Sequence, residues 1–373
     1  MTSATEVLRV GVDATPMLGS RTGIGHYTAA LVRGLAARAD LAVTAVPFTA
    51  RGGAAPTDLP AGVRWRHRPL PARGLQEAWA RTGFPPVELL AGRVDVFHGT
   101  NFVLPPTRRA AGVLTVHDLA FLRYPELVDT ASLRYRTLVP RGIQRADAVL
   151  TPSRAVADEL VDTYRLHPDA VTVTPLGVDP SWLDMATPTP ADRARWGLPS
   201  KYFLAVGTLE PRKGLDVLVA AYRILLRSAP RIPPLVLVGA TGWGADLDVS
   251  DLGPDRIVRP GYIAYRDLQR VVGGASVFAF PSRYEGFGLP PLEAMACGIP
   301  VVASDIPTSR EVLGGFAALP PVGDPEALAA ALLAAWDDPP GAGEVVAARR
   351  HAATWTWQRC VENTVAAYRR VAS

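Results

Sequence analysis

The sequence has little of what disulfide-stabilised, metal-centred or membrane-spanning proteins require. It contains two cysteines, Cys297 and Cys360, among 373 residues. Two distant thiols form neither a disulfide framework nor a metal-ligand spacing, and the six histidines show no ligand spacing either. No uninterrupted apolar run reaches the roughly 18 residues that a membrane span needs. These absences argue against a disulfide-rich secreted domain, a structural metal site and a transmembrane helix.

The charge is also modest. A net charge of +4 is too small by itself to indicate a nucleic-acid partner. The N-terminus lacks the basic and apolar regions of a secretion signal, so we expect a cytoplasmic protein that binds no nucleic acid. Six arginines on candidate helices of the first half leave two interpretations open, a solvated face or peripheral contact with anionic lipid at the inner face of the membrane: Arg33, Arg38, Arg134, Arg136, Arg141 and Arg145.

What is present is a regular alternation of short β-branched runs, polar or glycine-rich loops and Ala/Leu/Arg-rich helices. This alternation predicts parallel α/β sheets, and the length predicts two domains. The strands are expected at Leu8–Asp13, Val43–Phe48, Val94–Phe97, Val113–Val116, Ala148–Thr151 and Val171–Thr174 in the first half, and at Phe203–Val206, Leu235–Val238, Ile257–Arg259, Val277–Phe280 and Val301–Ala303 in the second. The proline-rich stretch 175–190 is the expected linker. We therefore predict domains over 1–185 and 186–345, followed by a helical segment over 346–373.

The stretch from Pro281 to Gly298 carries the clearest chemical signal. It follows an apolar strand, contains a glycine loop, and has Pro290-Pro291 where a helix would begin. The backbone N–H groups at a helix N-terminus bind phosphate well. The loop therefore predicts a phosphate site formed by the backbone of Gly286, Phe287, Gly288 and Leu289.

Two carboxylates, Glu285 and Glu293, flank this loop. Carboxylates do not bind anions, so a functional reading gives them the hydroxyls of a sugar or a ribose. The alternative is that Glu285 is a solvated loop residue and Glu293 an ordinary acid near a helix start.

Other unusual residues also follow predicted strands. Arg212 and Lys213 offer a guanidinium fork beside a point charge, which suits a departing diphosphate, although such pairs also occur on ordinary surfaces. His117 could hydrogen-bond a sugar or be a satisfied polar residue. Gly23 and Gly25 precede a predicted helix at His26–Arg38. They suit either a tight turn near a ligand or an ordinary strand-to-helix connection.

The spacing Glu285-x7-Glu293, preceded by Pro-Ser and followed by Gly-x-Pro-Val-Val-Ala-Ser from Gly298, resembles the retaining glycosyltransferases of family four. The run Glu-Pro-Arg-Lys-Gly from 210 to 214 resembles that family's phosphate clamp, and the run from His117 to Glu126 resembles its mannosyltransferase-like members. The resemblance implies the GT-B fold, in which two doubly wound, Rossmann-like domains face a central cleft and the last helix crosses back to the first domain.

The resemblance also implies roles for individual residues. His117, Arg212, Lys213 and Glu285 are then the catalytic candidates. The donor-binding candidates are Gly23, Gly25, Thr208, Tyr262, Gly286, Phe287, Gly288, Leu289 and Glu293. Thr208 stands where related enzymes often have another arginine, and Tyr262 stands where they contact the base. A packed aromatic is the alternative for Tyr262.

The expected reaction is transfer of a hexose from a nucleotide sugar, GDP-mannose being the leading donor, to a glycan, lipid-linked or small-molecule acceptor with retention of configuration. No cofactor and no metal are expected. Asp246-Leu247-Asp248 spells a D-x-D metal motif, but it lies in a polar loop well beyond its strand. The remaining alternatives are a UDP-sugar donor, a phosphorylase or epimerase on the same fold, and an inactive nucleotide- or carbohydrate-binding protein.

Overall fold

The computed structural model describes residues 7–19, 21–50, 53–184, 186–229, 231–244 and 247–372. The strands, numbered in chain order, are β1 Leu8–Asp13, β2 Leu41–Val46, β3 Phe48–Thr49, β4 Arg64–Trp65, β5 Arg68–Pro69, β6 Val96–Gly99, β7 Ala111–Thr115, β8 Ala148–Thr151, β9 Val171–Val173, β10 Phe203–Val206, β11 Leu235–Val238, β12 Ile257–Gly261, β13 Val277–Phe280 and β14 Val301–Ala303.

The helices are α1 Gly23–Ala36, α2 Ala72–Arg81, α3 Glu88–Ala91, α4 Ala120–Arg123, α5 Tyr135–Arg145, α6 Arg154–Tyr164, α7 Pro190–Trp196, α8 Leu215–Ser228, α9 Tyr265–Gly273, α10 Leu289–Ala296, α11 Pro307–Leu313, α12 Pro325–Asp337, α13 Ala342–Ala353 and α14 Trp357–Ala372. Short 3₁₀ turns include Pro180–Asp184 and Pro211–Lys213. Among the described residues, no helix has both the length and the apolar character needed to cross a bilayer.

The chain divides into two compact units. The first comprises Met1–Leu122, Thr130–Gly177 and Thr356–Ser373, and the second comprises Arg123–Asp129 and Val178–Trp355. Hydrogen bonds within the second unit hold the segments at Val178 and Trp355, where the chain passes from one unit to the other. The N–H of Val178 donates to the carbonyl of Trp355 at 2.9 Å, and Arg349 on α13 donates to the carbonyl of Ala296 at 3.0 Å.

In the first unit, seven strands form a parallel sheet in the order β4-β2-β1-β6-β7-β8-β9. Val10 and Val12 of β1 are fully buried, which is typical of a parallel sheet covered on both faces. The core on one side of this sheet includes Phe97, Leu114 and Val149. The final helix α14 packs against α1 and belongs to this unit.

In the second unit, five strands form a parallel sheet in the order β12-β11-β10-β13-β14. This order is that of a doubly wound sheet. All strands run parallel, and the order in which they are added to the sheet reverses between β10 and β13. Phe203, Leu235 and Val277 are fully buried, and helices α8 and α12 cover one face. The predicted parallel α/β class is confirmed. Strands β1, β8, β10, β11, β13 and β14 have the predicted bounds, whereas the two-residue strands β3, β4 and β5 were not predicted.

Candidate active site

The candidate site of the second unit lies at the reversal between β10 and β13. Ligands of open parallel sheets bind beyond the carboxyl ends of the strands at such a point. The loops that follow these two strands meet at Gly214, which has a φ of 65°. A Cβ at this position would lie 2.1 Å from the carbonyl oxygen of Pro281. Glycine therefore allows the two loops to approach closely, and this brings their charged side chains together.

Four side chains form a charged cluster: Glu210, Arg212, Lys213 and Glu285. The Lys213 Nζ lies 2.6 Å from Glu285 Oε1, and the Arg212 Nη1 lies 2.9 Å from Glu285 Oε2. Arg212 Nη2 also lies 2.6 Å from Glu210 Oε1. Each oxygen of Glu285 thus has its own cation, which fixes the carboxylate in one orientation.

The surroundings of this cluster explain its protonation states. Burial raises the pKa of Glu285, but Arg212 and Lys213 outweigh burial and bring this pKa down to about 2. Burial is the larger influence at Glu210 and raises its pKa. The Glu285 side chain is 10% exposed, so it is not the solvated loop residue of the alternative interpretation.

The charged cluster has a chemical consequence that the sequence did not show. Its two carboxylates and two cations balance when all are ionised, and both cations already contact Glu285. A diphosphate that binds Arg212 and Lys213 must therefore compete with the Glu285 carboxylate. The same exchange would release the carboxylate for hydroxyl groups of a ligand.

The predicted strand, loop and helix around Gly286 to Leu289 are present. Helix α10 begins at Leu289, after Gly288 with a φ of 99° at the N-cap. Pro290 and Pro291 have no N–H, so the backbone donors of this turn come from the residues just before them. Phe287 is buried and its ring lies edge-on to Trp355 at 5.3 Å between centroids. Phe287 can therefore reach a ligand through its backbone alone.

Glu293 lies on α10 and is only 6% exposed, so it is not a solvated helix acid. The hydroxyl of Tyr265 donates to Glu293 Oε1 at 2.8 Å, and Trp182 Nε1 donates to that hydroxyl at 2.8 Å. Burial raises the pKa of Glu293 to about 7, although the Tyr265 hydrogen bond opposes the shift. Sequence reasoning missed Tyr265 and Trp182, which lie 28 and 111 positions from Glu293 and carry no local motif.

Two donor-binding candidates lie on neighbouring loops of the same unit. Thr208 and Lys213 both line a cavity of about 10 Å³, room for roughly one water molecule. Tyr262, directly after β12, is 53% exposed. Tyr262 is therefore not the packed aromatic of the alternative interpretation.

The D-x-D motif is only partly described. Asp246 lies outside the described residues. Asp248 is tied into a local turn, where its Oδ1 accepts hydrogen bonds from the N–H of Ser250 at 3.1 Å and from the Ser250 hydroxyl at 2.8 Å. Within the described part of the chain, no group of three or more His, Cys, Asp or Glu side chains could hold a metal ion.

His117 belongs to the first unit, where it follows β7. Its Nε2 lies 2.8 Å from the carbonyl oxygen of Thr100. A carbonyl only accepts, so Nε2 carries the proton. Burial lowers the pKa of His117, which keeps the ring neutral and leaves a lone pair on Nδ1. Tyr27 and Phe102 hold the ring edge-on, with centroid distances of 5.0 and 5.6 Å.

The two N-terminal glycine candidates prove different from each other. Both lie inside the first turn of α1, so the expected tight turn before a helix at His26 is wrong. Neither has a positive φ. A Cβ on Gly25 would lie 2.6 Å from the carbonyl oxygen of Pro16, whereas a Cβ on Gly23 would meet nothing within 4 Å. Only Gly25 is required by packing.

A buried polar chain in the first unit was also missed. Tyr368 of α14 lies 2.7 Å from His98 Nδ1, and His98 Nε2 lies 2.7 Å from the Thr115 hydroxyl. Thr115 in turn lies 3.0 Å from the hydroxyl of Tyr27, the residue that packs on His117. Burial lowers the pKa of His98 to about 3, so this chain is uncharged.

Two family models match the chain. Residues 21–182 match the model described as Glycosyltransferase Family 4, and residues 200–338 match Glycosyl transferases group 1. The O-antigen chain mannosyltransferase B of Escherichia coli is 31% identical over 291 residues, which cover 74% of this chain and 74% of that protein.

Solved structures share the fold. Sucrose-phosphate synthase from Thermosynechococcus elongatus is similar with a TM-score of 0.76 at 21% identity, over 97% of this chain and 98% of that one. Anabaena HepE, solved in complex with UDP and glucose, is similar with a TM-score of 0.68 at 18% identity, over 97% and 99% of the two chains. This chain therefore belongs to glycosyltransferase family 4 and is a hexosyltransferase with the GT-B fold.

Proposed function

We propose that the protein transfers mannose from GDP-mannose to a glycan, lipid-linked or small-molecule acceptor, with retention at the anomeric carbon and without a metal or cofactor. The observation that carries the proposal is the contact of both Arg212 and Lys213 with Glu285 at the switch point of the second sheet. The similarity to a mannosyltransferase supports the choice of sugar. Peripheral contact with the inner face of a membrane is also part of the proposal.

In this proposal the diphosphate of the donor displaces the Glu285 carboxylate from Arg212 and Lys213. The diphosphate then binds these two cations and the backbone N–H groups of Gly286 to Leu289. The released Glu285 then accepts hydrogen bonds from sugar hydroxyls, and Glu293 accepts those of the ribose. Cations that already lie in a shielded site stabilise the negative charge of the departing diphosphate more than they would in water.

The reaction is a same-face displacement. The bond from the anomeric carbon to the phosphate oxygen breaks as the acceptor oxygen bonds to the same face of that carbon. The acceptor proton passes to the departing phosphate. His117 contributes as a neutral group whose Nδ1 lone pair can accept a hydrogen bond from the sugar and favour positive charge at the reacting carbon.

A UDP-sugar donor is the second candidate, because the fold is shared with a structure that holds UDP and glucose. The two candidates use the same diphosphate chemistry and differ in the base. The exposed Tyr262 beside Gly261 is the proposed base-contacting position.

Calorimetric titration of the purified protein with GDP, UDP and ADP, each with and without EDTA, tests this proposal. Selective GDP binding that EDTA leaves unchanged is the expected result. Selectivity for UDP would replace the donor and keep the mechanism. Loss of binding in EDTA would contradict metal independence, and no binding to any of the three would contradict the nucleotide-sugar reaction itself.

A further inference from the structure

A wide groove lies at the opposite edge of the first sheet from His117. Its volume is about 1080 Å³, and it is lined by residues at the amino ends of strands, among them Arg9, Asp95, Ala111 and Asp147. Five arginines line it, which we call the arginine groove: Arg9, Arg93, Arg108, Arg109 and Arg145. Nothing in the proposed transfer reaction uses this edge.

The three carboxylates of the groove already have partners within the protein. Asp95 pairs with Arg9, whose Nε lies 2.8 Å from Asp95 Oδ2. Asp147 Oδ2 accepts the N–H of Gly112 at 2.8 Å. Glu88 Oε1 accepts three backbone N–H groups, those of residues 108 to 110, at 2.8 to 3.1 Å. The groove thus holds three carboxylates against five guanidinium groups, so positive charge is in excess.

The guanidinium groups of Arg93, Arg108 and Arg109 form no close ion pair, although Arg93 acts on Asp95 at longer range. Over the described residues, no carboxylate lies within ion-pair distance of Arg93, Arg108 or Arg109. Arg108 and Arg109 are exposed, and Glu88 holds only their backbone. Their side chains are thus available to an external anion.

Two further arginines increase the positive charge. Arg145 donates to the carbonyl of Trp79 at 2.7 Å, and burial together with the neighbouring Arg141 lowers its pKa. The guanidinium of Arg66 lies against Gly92 of the groove, where a Cβ would be 2.2 Å from its Nη1. Guanidinium groups gathered in this way bind phosphate through paired N–H groups.

Two exposed apolar side chains lie close in the chain to the groove residue Glu88. Phe84 is 61% exposed and Leu89, next to Glu88 on α3, is 56% exposed. The N–H of Val87 donates to the carbonyl of Pro106 at 2.8 Å, which holds this segment against the chain that leads to Arg108. Apolar side chains next to several arginines are typical of a surface that enters the headgroup region of a membrane.

We propose that the arginine groove, with Phe84 and Leu89, docks the protein onto an anionic membrane. Lipid phosphates occupy the groove, and the two apolar side chains enter the interface. A small phosphorylated ligand would use the same arginines but would leave Phe84 and Leu89 in water. The proposal locates the membrane contact of the proposed function and is independent of the donor, because vesicle binding and nucleotide binding are measured separately.

The test is co-sedimentation of the full chain with vesicles of phosphatidylcholine, alone or containing phosphatidylglycerol. Binding to the anionic vesicles only, weakened by salt, is expected. The variant R108E/R109E should lose at least about 25-fold in affinity, since each arginine near an anionic surface contributes roughly fivefold. The control R350E/R359E changes the net charge equally at two exposed arginines outside the groove and should bind normally.

A second pair of variants tests the apolar part. F84A/L89A should lower the affinity for anionic vesicles by about tenfold, because less apolar surface leaves water. F316A/V346A removes two other exposed apolar side chains and should have no effect. GDP binding should be unchanged in R108E/R109E, which shows that the variant is folded and separates this proposal from the proposed function.

Several results would overturn the proposal. They are equal binding to neutral and anionic vesicles, full binding by R108E/R109E, and an equal loss in the R350E/R359E control. Binding of inorganic pyrophosphate that depends on Arg108 and Arg109, without vesicle binding, would assign the groove to a small ligand instead.

Discussion

The polar side chains at the carboxyl ends of the strands differ in charge between the two sheets. In the second unit, Lys213, Arg212 and Glu285 are largely shielded ions that pair with one another. In the first unit, the two histidines of the corresponding edge are buried as neutral groups, with His117 on the Thr100 carbonyl and His98 between two hydroxyls. Burial lowers the pKa of both histidines, whereas the cations lower that of Glu285.

This difference matches the two halves of a transfer reaction. A departing diphosphate carries charge and needs fixed cations, while a sugar or acceptor hydroxyl needs neutral acceptors and donors. A neutral His117 also adds no positive charge to this edge. The contrast predicts that substitutions in the second unit change turnover and its dependence on charge, and that those in the first unit act mainly through geometry and stability.

The largest effect is expected from removing the charges of the second unit. Lys213→Ala and Glu285→Ala should each lower kcat by roughly a hundredfold or more, comparable to the loss of a transition-state contact. Lys213 is one of two lysines in the sequence, so Lys201→Ala is a matched control and should leave kcat unchanged. Near-normal turnover of a folded Lys213→Ala or Glu285→Ala variant would contradict the claim that the charged groups of the second unit determine turnover.

The raised pKa of Glu293 should make the stability of the protein depend on pH. Its pKa of about 7 in the folded protein lies above the ordinary value of 4.5, so the protonated form is favoured on folding. The stabilisation is therefore fully present below about pH 4.5 and is lost as pH rises through 7, by an amount on the order of 3 kcal/mol. Thermal melting from pH 4.5 to 8 should show this loss, and Glu293→Gln should reduce it. An identical pH profile in the variant would contradict the assignment.

A smaller effect is expected in the neutral chain of the first unit. Tyr368→Phe removes the partner of His98 Nδ1 and should cost about 1–2 kcal/mol of stability, because a buried polar atom loses its hydrogen bond. Tyr164→Phe removes a hydroxyl that has no partner among the described residues and is the control. Denaturant unfolding should separate the two variants. Equal stabilities of the two variants would show that the hydrogen bond between Tyr368 and His98 contributes nothing to the free energy of unfolding.

The smallest effect distinguishes the two glycines of α1. Gly23→Ala adds a Cβ in open space at the helix start and should stabilise the protein by a few tenths of a kcal/mol up to about 1. Gly25→Ala should destabilise it, because the new Cβ would meet the Pro16 carbonyl oxygen. Melting temperatures that move in the same direction for both variants would contradict this distinction.

The strands and the glycine loop were predictable because their signals are local. Runs such as Phe203–Val206 and Val277–Phe280 are apolar over the whole strand, and Gly288 stands one residue before two prolines. Two-residue strands such as β4 have no comparable pattern, since their pairing depends on neighbours elsewhere in the sheet.

The side-chain partners were not predictable, because each contact joins residues that are far apart in the sequence. Lys213 and Glu285 are 72 positions apart, and only the close approach at Gly214 makes them an ion pair. Tyr265 reaches Glu293 from another helix, and Tyr368 reaches His98 from the end of the chain. Motifs identified residues with suitable chemistry, whereas their protonation states required the burial and partners that the fold creates.

The central claim is that Glu285 holds the cations until the donor diphosphate replaces it, and it can be tested by one binding measurement. The nucleoside diphosphate that binds best to the natural protein is titrated into Glu285→Gln, and turnover of the variant is measured alongside. If the carboxylate competes for Arg212 and Lys213, the variant binds the nucleotide about tenfold more tightly while its turnover is lost. Weaker nucleotide binding by a folded Glu285→Gln variant would contradict the account.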